Sequence, residues 1–330
     1  MDRRTAIKLG SLSSASMVVP TLTGFSEKKS NTTIFQKSNN LKIKLNEIDL
    51  LLFSDGHVFL EKPQPTFAPG IKASSLGNEL RSLHLGNGNL DLAINIMLIK
   101  TKDRTILIDS GSGKHFGENE GWLLENIQNS GIKAEEISDV FITHGHRDHV
   151  GGLITTNGSL VYPNANYHMS KREYDFWMSE NPDFSKSKLN PEAAKNSINF
   201  TRRILNIIKE RITFFNYGET LFSFLQTELA EGHTPGHTIF TISSGDKSIK
   251  NIVDTVHTPV LIGNPEWGTQ WDVDFKKGID TRKNVLEDCF VKNQLTMSSH
   301  LPWPGLGYIG KKDNYYWIPL PFATPDEIRL

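Results

Sequence analysis

A dense group of histidines and carboxylates lies in the middle of the chain, in the segment 143–152, Thr-His-Gly-His-Arg-Asp-His-Val-Gly-Gly. The group contains His144, His146, Asp148 and His149. Eleven histidines spread over 330 residues would seldom produce such a group by chance. Imidazole and carboxylate groups are common metal ligands, and the segment therefore predicts a metal site.

The spacing within this group predicts two metal ions. On an extended strand end His144 and His146 point the same way, because side chains alternate with period two, so both can reach one ion. Asp148 and His149 lie beyond a bend and can reach a second ion. Two ions about 3.5–4 Å apart can share a hydroxide, lower the pKa of its parent water and polarise a carbonyl or phosphoryl oxygen. The predicted chemistry is hydrolysis by this hydroxide, without a protein nucleophile.

The chain has a single cysteine, Cys289, which excludes a disulfide framework and a cysteine-rich zinc site within one chain. Imidazole and carboxylate ligands favour zinc, although manganese, iron and cobalt also bind nitrogen and oxygen donors. We therefore predict two divalent metal ions as cofactors, with zinc preferred. Cys289 itself lies in a helical stretch, 281–291, where we predict a buried structural thiol.

Strands and helices must position these ligands. The predicted strand 140–142 runs directly into the histidine group, which places the chemistry at a strand end. Because runs of strands and helices follow each other twice, we predict an α/β fold with two sheets packed face to face and helices outside, a four-layer αββα sandwich. The other predicted strands are 49–53, 93–99, 105–108, 212–215, 238–242, 249–253 and 295–297, and the predicted helices are 121–132, 170–178 and 191–211.

Composition is that of an ordinary globular enzyme, with 37% hydrophobic and 22% charged residues and a formal net charge of -1. The chain has no long basic run that would hold a nucleic-acid backbone, so nucleic acid is excluded as a substrate. We predict one domain over residues 45–330 and a small-molecule substrate.

The N-terminus indicates export. Arg3 and Arg4 precede a weakly apolar stretch, 9–22, that is too short and too rich in Ser and Thr for a membrane span. Paired arginines mark twin-arginine signals. We therefore predict an export signal over residues 1–26, a flexible polar linker over 27–44, a periplasmic or secreted location and no stable membrane span in the mature protein.

The segment 143–152 resembles the signature of the metallo-β-lactamase superfamily, and further landmarks follow in the expected order over nearly the whole chain after about residue 45. They are the segment 232–238, Gly-His-Thr-Pro-Gly-His-Thr, then Asp254 after a short apolar run, then His300. The resemblance implies the metallo-β-lactamase fold. It also implies two ligand sets joined by Asp254: His144, His146 and His237 for the first metal, and Asp148, His149 and His300 for the second.

The resemblance assigns further roles around the metals. Asp109, in the turn 108–111, would orient a ligand histidine from behind without binding metal itself. Asp254 and Asp148 would serve catalysis, the latter as a proton carrier to the leaving group. The other histidines receive structural roles, except for the one at 257: they are His57, His84, His115, His168 and His233.

Several segments resemble the branch of the superfamily that contains methyl parathion hydrolase: 54–56, 108–111, 162–165, 175–177 and 300–307. This resemblance implies a hydrolase acting on an organophosphate triester, a lactone or a carboxylic ester. It also implies a pocket for an aromatic leaving group, lined by Trp177 and Phe116. Related enzymes are often dimers, which predicts a homodimer.

Two alternatives remain open within the superfamily. Acyl-homoserine-lactone lactonases, which are quorum-quenching enzymes, commonly carry a tyrosine three residues after the bridging aspartate, and here that position is His257. Lactone cleavage would therefore lack one expected helper, and His257 is placed in the substrate pocket. A thioesterase of the glyoxalase II type is the second alternative. A non-catalytic scaffold is disfavoured, because all seven implied ligand positions hold ligating residues.

Overall fold

The computed structural model describes residues 40–322 and 327–330. The predicted export signal and most of the predicted linker lie outside these residues. The first strand, β1, is Asn40–Leu45, and its side chains Leu41, Ile43 and Leu45 are buried while those between are not. Residues 40–44, which the sequence analysis places in the linker, therefore form part of the first strand of the fold.

The first sheet has eight strands in the order β15-β1-β2-β3-β4-β5-β6-β7. Strands β1 to β4 pair antiparallel, whereas β4 to β7 pair parallel, as does β15 with β1. The remaining strands of this sheet are β2 Ile48–Leu60, β3 Leu90–Lys100, β4 Thr105–Ile108, β5 Asp139–Ile142, β6 Asn166–Ser170, β7 Ile212–Phe215 and β15 Glu327–Arg329.

The second sheet has seven strands in the order β14-β13-β12-β11-β10-β9-β8, and its pairing is antiparallel except between β11 and β12. These strands are β8 Thr220–Leu221, β9 Leu225–Leu229, β10 Thr238–Ser244, β11 Lys247–Asn251, β12 Thr296–Met297, β13 Leu306–Lys311 and β14 Tyr315–Pro319.

The α-helices lie along the chain between these strands. Helix α5 begins at the position that its sequence predicts, because Pro191 occupies its first turn and the side chain of Asn190 accepts a hydrogen bond from the backbone N–H of Ala193 (2.8 Å). The helices are α1 Ala73–Ser82, α2 Leu123–Asn129, α3 Arg147–Val150, α4 Lys171–Met178, α5 Pro191–Ile208, α6 Pro259–Gly263 and α7 Phe275–Val291.

Two hydrophobic cores define the layers. Strand β3 belongs to both, because Met97 and Ile99 pack into the core shared by the two sheets while Ile96 and Leu98 pack into the core beneath α2 and α5. A strand buried on both faces reads as a continuous apolar run, as this one does. Helix α7 contributes Cys289 to the first core, so the predicted buried thiol is confirmed. The four-layer αββα sandwich is confirmed.

No helix in the described part of the chain combines sufficient length with sufficient apolarity to cross a bilayer.

Candidate metal centre

The ligand-bearing residues come from turns that follow four strands. Residues 143–146 continue from β5 and lead into the short helix α3, and His233 follows β9. Asp254 lies in the turn after β11, and His300 follows β12. Val253, which directly precedes Asp254, has a φ of 47°, an unusual conformation for a β-branched residue. Both sheets therefore deliver ligands to one edge of the sandwich.

Four side chains form the first cluster: His144, His146, His233 and Asp254, whose ligating atoms lie within 4.8 Å of one another. His146 Nδ1 faces His233 Nε2 at 2.8 Å. Asp254 Oδ2 lies 3.3 Å from His233 Nε2 and 3.7 Å from His144 Nε2. Three imidazoles and a carboxylate thus converge on one point, as a tetrahedral divalent cation requires.

Asp148, His149, Asp254 and His300 form the second cluster, again within 4.8 Å. His300 Nε2 lies 3.2 Å from Asp148 Oδ2 and 3.1 Å from Asp254 Oδ2. His149 Nε2 lies 3.3 Å from the other oxygen of Asp254, Oδ1. Asp254 therefore belongs to both clusters, and its two carboxylate oxygens are placed to join two cations.

Orphaned buried atoms show that these clusters fit metal ions. His144 Nε2, His149 Nε2 and Asp254 Oδ1 are buried and have no hydrogen-bond partner among the described residues. A buried polar atom left unpaired costs about 1–3 kcal/mol, so three of them at one point need an explanation. A pair of divalent cations would satisfy all three, because a deprotonated imidazole nitrogen or carboxylate oxygen offers a lone pair to a metal.

The charge distribution of the site also suits cations. Burial lowers the pKa of His300, but the carboxylates of Asp254 and Asp148 outweigh it and raise this pKa to about 10. Burial likewise raises the pKa of Asp254, but His300 and His149 outweigh that effect and hold the pKa well below its usual range. The buried carboxylates thus attract positive charge strongly. They favour the protonated form of the histidine that faces them, and a bound metal ion would displace that proton.

Asp109 lies where its expected orienting role places it. Its Oδ2 accepts hydrogen bonds from His149 Nδ1 (2.8 Å) and from the hydroxyl of Thr143 (2.7 Å), and its Oδ1 accepts from the backbone N–H of Thr143 (2.8 Å). A donating Nδ1 leaves the lone pair of His149 on Nε2, which faces Asp254. His300 is fixed in the same way, because its Nδ1 donates to the carbonyl of Ala93 (2.8 Å).

The structure does not bring His237 into either cluster. Its Nδ1 donates to the carbonyl of Ala230 (3.1 Å), and its Nε2 accepts the backbone N–H of Asp254 (3.2 Å). Burial lowers the pKa of His237 to about 3, so the ring is neutral and able to accept. Both ring nitrogens are used by the backbone, and no lone pair remains for a metal. We therefore correct the expected ligand set: His233 replaces His237.

His233 was expected to be a structural histidine, and it is instead a member of the first cluster. The segment 232–238 holds two histidines four residues apart, and sequence spacing alone does not choose between them. The hydrogen bonds identify His233 as the cluster member. Its Nε2 faces His146 and Asp254, while its Nδ1 donates to Asp272 Oδ1 (3.0 Å).

The predicted pocket residues have different positions. Trp177 is fully buried and cannot line a pocket. Its Nε1 donates to Glu173 Oε1 (2.6 Å), and its ring packs against that of His146, with the ring centroids 5.8 Å apart. Phe116 is half-buried, and the guanidinium of Arg147 lies 4.2 Å from its ring centroid. Since Arg147 directly precedes Asp148, Phe116 lies at the rim of the site.

His257 lies inside the site. Its ring is fully buried and stacks on His300, with the ring centroids 5.2 Å apart and the planes at 2°. Neither ring nitrogen has a hydrogen-bond partner among the described residues, and Nε2 is 3.4 Å from Asp254 Oδ2. Burial lowers the pKa of His257 to about 4, which leaves the ring neutral. A neutral, unpartnered imidazole can offer a hydrogen bond to a bound molecule.

Solved structures show the same fold. A structure of AidC, a dizinc quorum-quenching lactonase in complex with the product N-hexanoyl-L-homoserine, is 37% identical, with a TM-score of 0.83, covering 87% of this chain and 99% of that one. A hydrolase, AbOPH, in the beta lactamase superfamily is 28% identical, with a TM-score of 0.78 and coverage of 87% and 99%. A probable metal-dependent hydrolase from Staphylococcus aureus, 18% identical with a TM-score of 0.66 and coverage of 85% and 100%, shares the fold.

Sequence comparison agrees. A profile of the metallo-beta-lactamase superfamily matches residues 90–249, which include the ligands from His144 to His233. A comparison with curated protein sequences gives no match. The extent and identity of the match to AidC, together with the two clusters that share Asp254, settle the family. The chain belongs to the metallo-β-lactamase superfamily, and its site is that of a metal-dependent hydrolase.

Proposed function

We propose that the protein is a dizinc hydrolase that opens the ring of N-acyl-homoserine lactones. The observation that carries this proposal is the pair of clusters joined by Asp254, in a chain that is 37% identical to a dizinc quorum-quenching lactonase over 99% of that lactonase. In this protein one cation would be held by His144, His146, His233 and Asp254. The other would be held by Asp148, His149, Asp254 and His300.

Bound cations would supply an activated water as the nucleophile and would polarise the carbonyl of the lactone. Asp148 is suited to carry the proton to the leaving oxygen. Its side chain is 15% exposed, whereas those of its partners His149 and His300 are almost fully buried, so it lies on the open side of the cluster. Arg147 and Phe116 at the rim would contact the part of the substrate that extends outward.

His257 takes the position of the tyrosine that lactonases of this superfamily commonly carry. We expect the change His257→Phe, which keeps a ring but removes both nitrogens, to lower kcat for lactone hydrolysis roughly 10²-fold, the effect of losing one hydrogen-bond donor at a reacting oxygen. Metal content should not change. His257→Tyr, which returns a donor to the position, should recover part of kcat. An unchanged kcat in the phenylalanine variant would leave His257 with a packing role.

The proposal is tested by metal analysis combined with a substrate panel. Purified protein should contain about two equivalents of zinc, as expected for a two-metal site, and its turnover should be sensitive to chelators. Long-chain and short-chain acyl-homoserine lactones should be hydrolysed with a higher kcat/KM than methyl parathion or a p-nitrophenyl ester. Metal below one equivalent that cannot be restored, together with no turnover on any substrate, would contradict a hydrolase.

A second candidate function is hydrolysis of an organophosphate triester or carboxylic ester, the activity implied by the methyl parathion hydrolase-like branch. The observation that favours it is the aromatic rim, where Phe116 packs against Phe200 with ring centroids 5.1 Å apart and could hold an aromatic leaving group. Preferential turnover of methyl parathion in the same panel would support this candidate over the lactonase.

We also propose that the protein is exported and that it forms a homodimer. Arg3 and Arg4 support export by the twin-arginine route to the periplasm or the medium. Fractionation of cells that produce the full chain would test it, since retention in the cytoplasm would contradict export. The proposed homodimer is tested by light scattering on the purified protein.

A further inference from the structure

A buried ion pair lies behind the first cluster. Asp272 and Arg282 are each 1% exposed at the side chain, and Arg282 Nη2 lies 3.4 Å from Asp272 Oδ2. Arg282 belongs to α7, and Asp272 lies in the loop that precedes this helix. Burying two charges often costs as much as their attraction returns, so a stabilising contact is a poor explanation for the pair.

Asp272 acts on the ring of His233. Its Oδ1 accepts a hydrogen bond from His233 Nδ1 (3.0 Å), which leaves the lone pair of the ring on Nε2. That nitrogen faces His146 Nδ1 at 2.8 Å and Asp254 Oδ2 at 3.3 Å. The carboxylate therefore fixes both the tautomer and the direction of His233, and its charge makes the ring a stronger donor to a cation.

Arg282 holds this carboxylate relative to the shared ligand. Its Nε donates to the carbonyl of Thr255 (2.8 Å), the residue directly after Asp254. Its Nη1 donates to the carbonyl of Pro265 (3.1 Å), which lies in the same loop as Asp272. One planar guanidinium with several donors can hold all three acceptors at once, which a lysine ammonium cannot do with the same geometry.

The second cluster has a different carboxylate, Asp109, which holds His149. We propose that Asp272 and Arg282 are positioning residues for the cation held by His144, His146, His233 and Asp254, and that the cation of the second cluster does not depend on Asp272. This inference rests on the proposed two-cation site. It predicts that substitution of Asp272 weakens the binding of one cation and leaves the binding of the other unchanged.

The test is stepwise metal binding by the Asp272→Asn variant, with zinc or cobalt titrated against a competing chelator. We expect the affinity for one cation to fall about 10- to 100-fold, the usual cost of losing a partner behind a ligand, and the affinity for the other to stay within about threefold. With cobalt, the absorption bands of the first site should shift. This readout is independent of turnover.

Two further variants separate positioning from stability. Asp272→Asn leaves Arg282 as an unpaired buried charge, so the double variant Asp272→Asn with Arg282→Met removes both charges and should fold while showing the same selective loss. Asp139→Asn is the matched control, because Asp139 is also buried and accepts from His168 Nε2 (2.8 Å) and Arg104 Nη1 (2.8 Å). Asp139 begins β5, at the strand end away from the cluster, and its variant should bind both cations normally.

The outcomes are distinct. Binding of both cations with native affinity by the Asp272→Asn and double variants would overturn this inference and leave the proposed function intact. An equal loss of both cations would also overturn it, since selectivity is its content. A native protein that binds no cation under the same conditions would overturn the proposed function and this inference with it.

Discussion

Replacement of Asp254 by alanine is expected to abolish tight binding of both cations and to remove turnover with them. The two clusters share this one carboxylate, whose Oδ1 lies 3.3 Å from His149 Nε2 and whose Oδ2 lies 3.1 Å from His300 Nε2 and 3.3 Å from His233 Nε2. Loss of a residue behind a ligand typically costs about 10- to 100-fold in metal affinity or activity, and loss of a ligand to both cations should cost more.

Mass spectrometry of bound metal and initial rates on a lactone would be measured on the same protein sample. Asp49→Ala serves as the control, because Asp49 is a carboxylate on β2 whose Oδ1 pairs with Lys44 Nζ at 2.8 Å and which has no part in either cluster. Its metal content and rate should match those of the native protein. Two equivalents of metal and full turnover in Asp254→Ala would remove the bridging assignment.

Ligands that are close in sequence could be predicted from the sequence, and the reason is local geometry. His144 and His146 follow a strand, where alternation puts both side chains on one side, and Asp148 and His149 follow the turn into α3. The αββα sandwich could also be predicted from the sequence, because runs of strands and helices follow each other twice along the chain.

Contacts between segments that are distant in sequence could not be predicted. Glu173 is an ordinary helix residue in the sequence, yet its buried carboxylate accepts hydrogen bonds from the backbone N–H groups of Gly145 and Gly236, both at 2.9 Å, and from the side chains of Thr234 and Trp177, both at 2.6 Å. It thereby joins the two loops that carry the three histidines of the first cluster. No periodicity or spacing marks such a residue, because three of its four partners are separated from it by 28, 61 and 63 positions.

The choice between His233 and His237 could not be predicted from the sequence either. It depends on which ring nitrogens form hydrogen bonds with the rest of the fold. His233→Ala is expected to lose the cation of the first cluster, with an affinity at least about 10²-fold lower, because it removes one of three imidazole ligands at a four-ligand site. The second cation, whose cluster does not include His233, should remain.

His237→Ala should behave in the opposite manner. It removes the hydrogen bonds to the carbonyl of Ala230 and from the N–H of Asp254, which should lower the free energy of unfolding by about 1–3 kcal/mol. Both cations should still bind within about tenfold of native affinity, because no ligand atom is lost. Denaturant unfolding and chelator competition on the two variants would distinguish the roles. If His237→Ala lost a cation while His233→Ala kept both, the original assignment of His237 as the ligand would stand, and the hydrogen bonds that occupy its ring would have to break when metal binds.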